Sequence, residues 1–259
     1  RKESSAASDV YKRQIKNKYL HHTQTLRERL FRPRYRTAAM SQFSALIDDT
    51  WILEGCRTPF IDYCGAFGTL SPTDMGIKVA REALARSGVA ATAIESVIAG
   101  SMAQADFDAY MLPRHIGLYA GVPIATPSTL AQRICGTGFE LFRQAADQIA
   151  LGYARTALVV GTESMTRNPI AAYTHRSGFR LGAPVEFKDF LWEALDDPAA
   201  RVSMIQTAEN LARRYGITRP EVDAYASQSQ ARALAAQERG LFDEEIVTVD
   251  NEVLSLIHI

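Results

Sequence analysis

The stretch Gln132-Arg133-Ile134-Cys135-Gly136-Thr137-Gly138-Phe139 decides how this chain folds. It joins a strand-like approach over residues 126–134 to a helical pattern in which Phe139, Phe142, Ala146 and Ile149 recur. The small residues around Cys135 allow a tight strand-to-helix turn and a close approach of a ligand to the backbone. A thiol at a helix N-terminus gains thiolate character from the free N–H groups and the helix dipole. The same N–H groups suit a developing oxyanion on an attacked carbonyl. On this stretch alone, a small buried core cysteine is an equally good reading of Cys135.

Working outward, strands and helices alternate. Thr50-Trp51-Ile52-Leu53 reads as a short strand ended by Gly55 and Thr58-Pro59. Ser71-Pro72-Thr73-Asp74 opens a helix with an N-cap, proline in the first turn and an acid three residues after the cap. Gly88 closes it. Ser96-Val97-Ile98-Ala99-Gly100 and Ala157-Leu158-Val159-Val160-Gly161 are continuous apolar runs of the kind buried on both faces of a sheet. A helix lies around Arg114-His115-Ile116-Gly117-Leu118. The pattern predicts an α/β layer with some parallel pairing. Residues 162–203 read as irregular. Two helices follow, over residues 207–214 and from Thr218-Arg219-Pro220-Glu221 to Arg239.

Composition excludes several classes. The chain has 259 residues, 47% hydrophobic and 22% charged, within the globular range. No apolar run approaches the ~18 residues of a spanning helix. Three cysteines make no disulfide framework in a chain this long, which favours a reducing compartment. The formal net charge is zero, but residues 1–39 carry +8 and residues 40–259 carry −8. No base-reading module accompanies the basic stretch, so no nucleic-acid partner is expected. The first methionine is Met40, and Ser4-Ser5-Ala6-Ala7-Ser8-Asp9-Val10-Tyr11-Lys12-Arg13-Gln14 resembles a translated sequencing adapter, as does Leu254-Ser255-Leu256-Ile257-His258-Ile259. Residues 1–39 and 254–259 are therefore read as non-native tails. No cluster has metal-ligand spacing, and no phosphate-binding Gly-Lys-Ser/Thr or dinucleotide motif is seen. No cofactor is expected.

Five stretches resemble, in order, motifs of the thiolase family: Arg57-Thr58-Pro59-Phe60; Arg133-Ile134-Cys135-Gly136-Thr137-Gly138; Val160-Gly161-Thr162-Glu163-Ser164-Met165-Thr166; Met204-Ile205-Gln206-Thr207-Ala208-Glu209-Asn210-Leu211-Ala212; and Phe242-Asp243-Glu244-Glu245-Ile246-Val247. The match is closest to 3-ketoacyl-CoA thiolases and acetyl-CoA acetyltransferases, and to their N-terminal half. Gln132 stands where asparagine is commonest, Glu140 where glutamine or alanine is often found, and Thr248 where proline is usual.

The resemblance implies an α/β, thiolase-like α-β-α-β-α layered fold. Residues 40–161 would form the N-terminal α/β core with its mixed sheet, and residues 162–253 a truncated loop domain. It implies an acyltransferase that forms or cleaves 3-ketoacyl-CoA. Cys135 would be the acyl-thioester nucleophile, with its backbone N–H in an oxyanion hole. Leu195, Ser203 and Met204 would be substrate-binding, Ser203 standing where many members carry histidine. The loop-domain core is an equal reading of Leu195 and Met204. Arg176, Arg180 and Lys188 are read as solvated charge, with the coenzyme A phosphates as the alternative. Coenzyme A thioesters enter as substrate. The base histidine, second cysteine and asparagine belong to the family's second half, so this chain alone is expected to be inactive. Homodimers or homotetramers are implied for the full-length protein, in the cytoplasm or, alternatively, the mitochondrial matrix. A non-catalytic acyl-binding relative and a CoA-dependent condensing synthase are the competing readings. Cys56 and Cys64 are read as packing residues.

Overall fold

The computed structural model describes residues 50–249 apart from 104 and 174. The two tails read as non-native, and residues 40–49 and 250–253, lie outside the described residues.

A three-stranded parallel sheet organises the fold. Its strands are β1 (Ser96–Gly100), β2 (Ser128–Leu130) and β3 (Ala157–Gly161), in the spatial order β2-β1-β3. Helix α1 (Pro72–Ser87) precedes β1, α2 (Leu112–Tyr119) links β1 to β2, and α3 (Thr137–Ala150) crosses back from β2 to β3. Parallel neighbours require such crossovers. The chain adds β2 on one side of β1 and β3 on the other, so the connecting helices cover opposite faces. Val97 and Ala99 of β1 pack with Ile77, Ala80, Leu112 and Ile116 of α1 and α2. Ile98 points the other way and packs with Leu141 and Ala145 of α3. This is the period-2 alternation of a strand buried on both faces. Full burial of side chains such as Ile98, Ile116 and Leu141 contributes about 1.5–3 kcal/mol each.

Helix α1 follows its sequence signals. The Ser71 hydroxyl accepts from the Asp74 N–H at 3.0 Å and donates to the Asp74 carboxylate at 2.8 Å. Gly88 closes the helix at φ 67°, its N–H donating to the Leu84 carbonyl. Burial holds the Asp74 carboxyl above the ordinary range, and the Ser71 hydrogen bonds oppose that shift.

After β3 come two-residue strands β4 (Ile170–Ala171) and β5 (Lys188–Asp189), paired antiparallel, and a single helical turn α4 (Phe190–Glu193). A second small hairpin joins β6 (Asp196–Asp197) to β7 (Val202–Ser203). Helices α5 (Met204–Tyr215) and α6 (Arg219–Glu238) follow. Neither presents a buried residue. The Glu221 carboxylate accepts from the Thr218 N–H and hydroxyl at 2.7 and 2.8 Å, closing the expected α6 cap.

Three sequence expectations are corrected here. Thr50-Trp51-Ile52-Leu53 makes no ladder, because no strand among the described residues lies beside it, and Trp51, Ile52 and Leu53 are exposed. The strand approaching Cys135 is only Ser128–Leu130, paired to β1 and ending where the chain turns. Helix α3 buries Leu141 and Ala145, not the Phe139 and Phe142 stripe, which is 86% and 52% exposed. Exposed aromatic and apolar side chains of this kind, together with open sheet edges, favour association. The purified chain is expected to elute from a sizing column as associated species. A monodisperse monomer would contradict this.

Candidate active site

Cys135 lies in the turn that joins the C-terminal end of β2 to the N-terminus of α3. Strand order reverses about β1, and the crevice outside the strand ends at such a reversal is the usual ligand position in open α/β sheets. The cysteine is exposed, so the reading of it as a buried core residue is set aside.

The turn is held against backbone preference. Ile134 adopts φ 47°, a left-handed conformation that is unfavourable for a β-branched residue. Hydrogen bonds surround it. The Gly136 N–H donates to the Arg133 carbonyl at 3.0 Å, and the Thr137 N–H donates to the Ile134 carbonyl at 3.0 Å. Gly136 caps α3 without a side-chain hydrogen bond. The first N–H groups of a helix have no intrahelical acceptor, and here no side chain at the cap competes for them.

Neighbouring loops are tied to this turn. The Gln132 side-chain amide donates to the Met102 carbonyl at 2.7 Å, linking the approach to Cys135 with the loop after β1. Glu163, after β3, accepts from the Ala103 N–H at 2.8 Å and from the Ser164 N–H at 2.8 Å. The Thr162 hydroxyl donates to the Pro72 carbonyl at 2.7 Å. Arg167 pairs with Asp106 and donates to the Thr69 carbonyl. Sequence reasoning gave none of these cross-loop ties. Glu163 was visible only as one letter of the third motif.

Glu140 sits in the first turn of α3, bonded to Arg143, Gln144 and Arg133. The Arg143 guanidinium, then Gln144 and Arg133, hold its carboxyl down to about 2. A carboxylate with a lowered folded pKa keeps its ion pairs above the ordinary glutamate range and loses them as pH falls towards 2. A carbon NMR titration of Glu140 should therefore show a midpoint near 2, moving up in high salt. A midpoint near the ordinary value of about 4.3 would contradict the network.

The other cysteines differ. The Cys56 thiol is half-buried, donates to the Val79 carbonyl at 3.4 Å and is pushed up by burial, consistent with a packing role. Cys64 is exposed at φ 60°, which corrects its reading as a packing residue: it stands in a surface turn whose N–H donates to the Thr166 hydroxyl.

Leu195 and Met204 are brought together, the Met204 N–H donating to the Leu195 carbonyl at 3.1 Å. Ser203 is the N-cap of α5: its hydroxyl accepts from the Gln206 N–H, and its own N–H donates to the Gln206 side chain at 2.8 Å. The α5 helix thus begins three residues earlier than periodicity suggested. No hydrogen bond or core cluster among the described residues joins this trio to Cys135. Lys188 pairs with Glu186 and Glu193, which raises its pKa through those hydrogen bonds. Arg176 and Arg180 are exposed.

Two motifs far apart in sequence meet. Arg57 donates its N–H to the Glu245 carbonyl, accepts at its own carbonyl from the Val247 N–H, and pairs with the Glu245 carboxylate, all at 2.8 Å. Its guanidinium also lies over the Phe60 and Phe242 rings. Of the described histidines, His115 faces Asp108 at 3.3 Å and His175 lies against Phe179; neither hydrogen-bonds Cys135. Among the described residues no group of His, Cys, Asp and Glu could hold a metal ion, and no helix is long and apolar enough to cross a membrane.

Comparisons with known proteins agree with this architecture. Residues 50–255 match the family model described as thiolase, N-terminal domain. The mitochondrial 3-ketoacyl-CoA thiolase of Homo sapiens is 36% identical over 206 residues, covering 80% of this chain and 52% of that protein. A beta-ketothiolase of Cupriavidus necator is 36% identical over 198 residues, covering 76% of this chain and 50% of that protein. The crystal structure of human mitochondrial 3-ketoacyl-CoA thiolase in complex with CoA superposes with a TM-score of 0.73 at 36% identity, over 77% of this chain and 51% of that one. The acetyl-CoA acetyltransferase of Bacillus anthracis gives 0.72 at 35% identity, over 78% of this chain and 51% of that one. The chain spans about half the length of the relatives it matches. It belongs to the thiolase family and carries the fold of its N-terminal domain.

Proposed function

We propose that Cys135 is the nucleophile of a thiolase-type acyltransferase that forms or cleaves 3-ketoacyl-CoA. The observation that carries this reading is the placement of an exposed thiol on a strained turn, at the C-terminal edge of a parallel sheet, where a helix begins with no side-chain cap. The names of the relatives support the substrate class. In the acyl-loading step the Sγ thiolate attacks the thioester carbonyl, the carbon–Sγ bond forms, and the tetrahedral oxyanion collapses. The carbon–sulfur bond to coenzyme A breaks, and its thiolate leaves and takes up a proton. The acyl group stays on Cys135 for transfer to a second acceptor. The Cys135 N–H is one donor to that oxyanion. A thioester exchanged for a thioester is nearly balanced in energy, so the step runs in either direction.

Leu195, Ser203 and Met204 are assigned to the acyl and pantetheine side of the site, supported by the adjacency of the three residues at the start of α5. Coenzyme A thioesters are substrates in this reading, with no cofactor. A homodimer or homotetramer is proposed for the complete protein, in the cytoplasm. The mitochondrial matrix is the second reading, favoured by the mitochondrial thiolases among the relatives.

Since neither described histidine serves Cys135 as a base, this chain is expected to release no more than one equivalent of CoA from acetyl-CoA. Chromatographic quantification of free CoA over time tests this. Sustained turnover at the rate of a full-length thiolase would contradict it.

A further inference from the structure

We infer that Thr137 is a positioning residue for the reaction proposed at Cys135, its hydroxyl clamping the strained Ile134 turn so that the Cys135 N–H points at the forming oxyanion. This inference rests on the reading of Cys135 as the acyl nucleophile. Thr137 is 5% exposed although it lies in the first turn of α3. Its Oγ1 accepts from the Arg133 N–H at 2.8 Å and donates to the Ile134 carbonyl at 2.6 Å. One hydroxyl therefore bridges the backbone on both sides of the strained residue. The peptide plane that carries the Cys135 N–H is attached to the Ile134 Cα. Any relaxation of Ile134 from φ 47° towards ordinary values turns that plane. Isoleucine has no preference of its own for the left-handed region, so the conformation persists only where its surroundings impose it. Among the described residues, the Thr137 hydroxyl is the side-chain group hydrogen-bonded to both flanking backbone groups. Its methyl faces Gly100, where an added Cβ would come within 2.8 Å of Cγ2, so the side chain is fixed from both ends.

Two reactions at Cys135 separate the role of Thr137 from general loosening. Acetylation by S-(4-nitrophenyl) thioacetate passes through an oxyanion: the carbon–Sγ bond forms and 4-nitrothiophenolate leaves. Alkylation by iodoacetamide forms a carbon–Sγ bond and releases iodide with no oxyanion. Both need the thiolate, so their ratio cancels ionisation and access. The ratio is measured on the full chain by peptide mass spectrometry for wild type, Thr137→Ser and Thr137→Val, with thermal melting alongside. Thr137→Val should lower the ratio about tenfold or more, part of the roughly 10²–10³ that complete removal of an oxyanion donor costs. Thr137→Ser should stay within about threefold of wild type, since it keeps the hydroxyl. Adding Ile134→Asn to Thr137→Val should recover part of the loss, because asparagine tolerates left-handed backbone.

An unchanged ratio in Thr137→Val overturns the role of Thr137. So does an equal loss in Thr137→Ser, or a parallel fall of both reactions with the melting transition. A wild-type ratio at Cys135 no higher than at exposed Cys64 instead overturns the reading of Cys135 itself.

Discussion

Cys135→Ser is expected to lower the rate at which the chain releases its single equivalent of CoA from acetyl-CoA by on the order of 10³-fold or more. Loss of a nucleophile commonly costs this much or more where the group acts directly on the substrate. Serine is the stringent choice because it keeps size and polarity and removes only the sulfur. A hydroxyl is scarcely ionised near neutral pH, and no described histidine hydrogen-bonds this position. The thiol is exposed and fills no core space. Stability should therefore change by no more than about 0.5 kcal/mol. A variant that releases CoA at the wild-type rate would remove Cys135 from the chemistry.

Gly100→Ala should be the most damaging single methyl group. Gly100 ends β1, and a Cβ there would lie 2.0 Å from the Ala131 carbonyl oxygen and 2.8 Å from the Thr137 methyl. The first neighbour is backbone and cannot rotate away. Ala131 is also held by its N–H to the Ala99 carbonyl, and the Gly100 carbonyl accepts from the Thr162 N–H. Relief therefore requires β1 and the start of the Cys135 turn to separate. The expected cost is about 3 kcal/mol or more, the range of severe overpacking. For a domain of this size that is roughly 6–12 °C in melting temperature. Gly138→Ala is the control. It lies in α3 with nothing within 4 Å of the added Cβ, so its stability should hold or rise by up to about 1 kcal/mol. Equal melting of the two variants would contradict the close approach of β1 to the turn.

The sheet was legible because its strands are continuous apolar runs and its helices carry explicit stop signals. Ser71, Pro72 and Gly88 bound α1 as their chemistry predicts. What local pattern could not supply was partnership. Thr50-Trp51-Ile52-Leu53 has strand composition, but a strand needs a neighbour, and none is described there. Phe139 and Phe142 recur at helical spacing, yet the sheet selects the Leu141–Ala145 face of the same helix. Periodicity reports that a helix has an apolar side, not which of two sides meets the core.

The same division holds at the site. Cys135 was readable from its small neighbours and from its place between strand and helix. The φ of Ile134 was not, since an isoleucine gives no signal for a left-handed turn. Nor was the Glu163 tie to Ala103, because it depends on two loops meeting above adjacent strands. Ser203 does carry a local signal: a serine followed three residues later by Gln206 is a capping box.

In the proposed reaction Cys135 accepts an acyl group from a coenzyme A thioester. Incubating the chain with acetyl-CoA, digesting it and weighing the three cysteine peptides tests this directly. An added acetyl group is expected on the Cys135 peptide, formed well ahead of any on Cys64 and absent from half-buried Cys56. Acetylation of Cys64 as fast as Cys135, or none on Cys135, would contradict it.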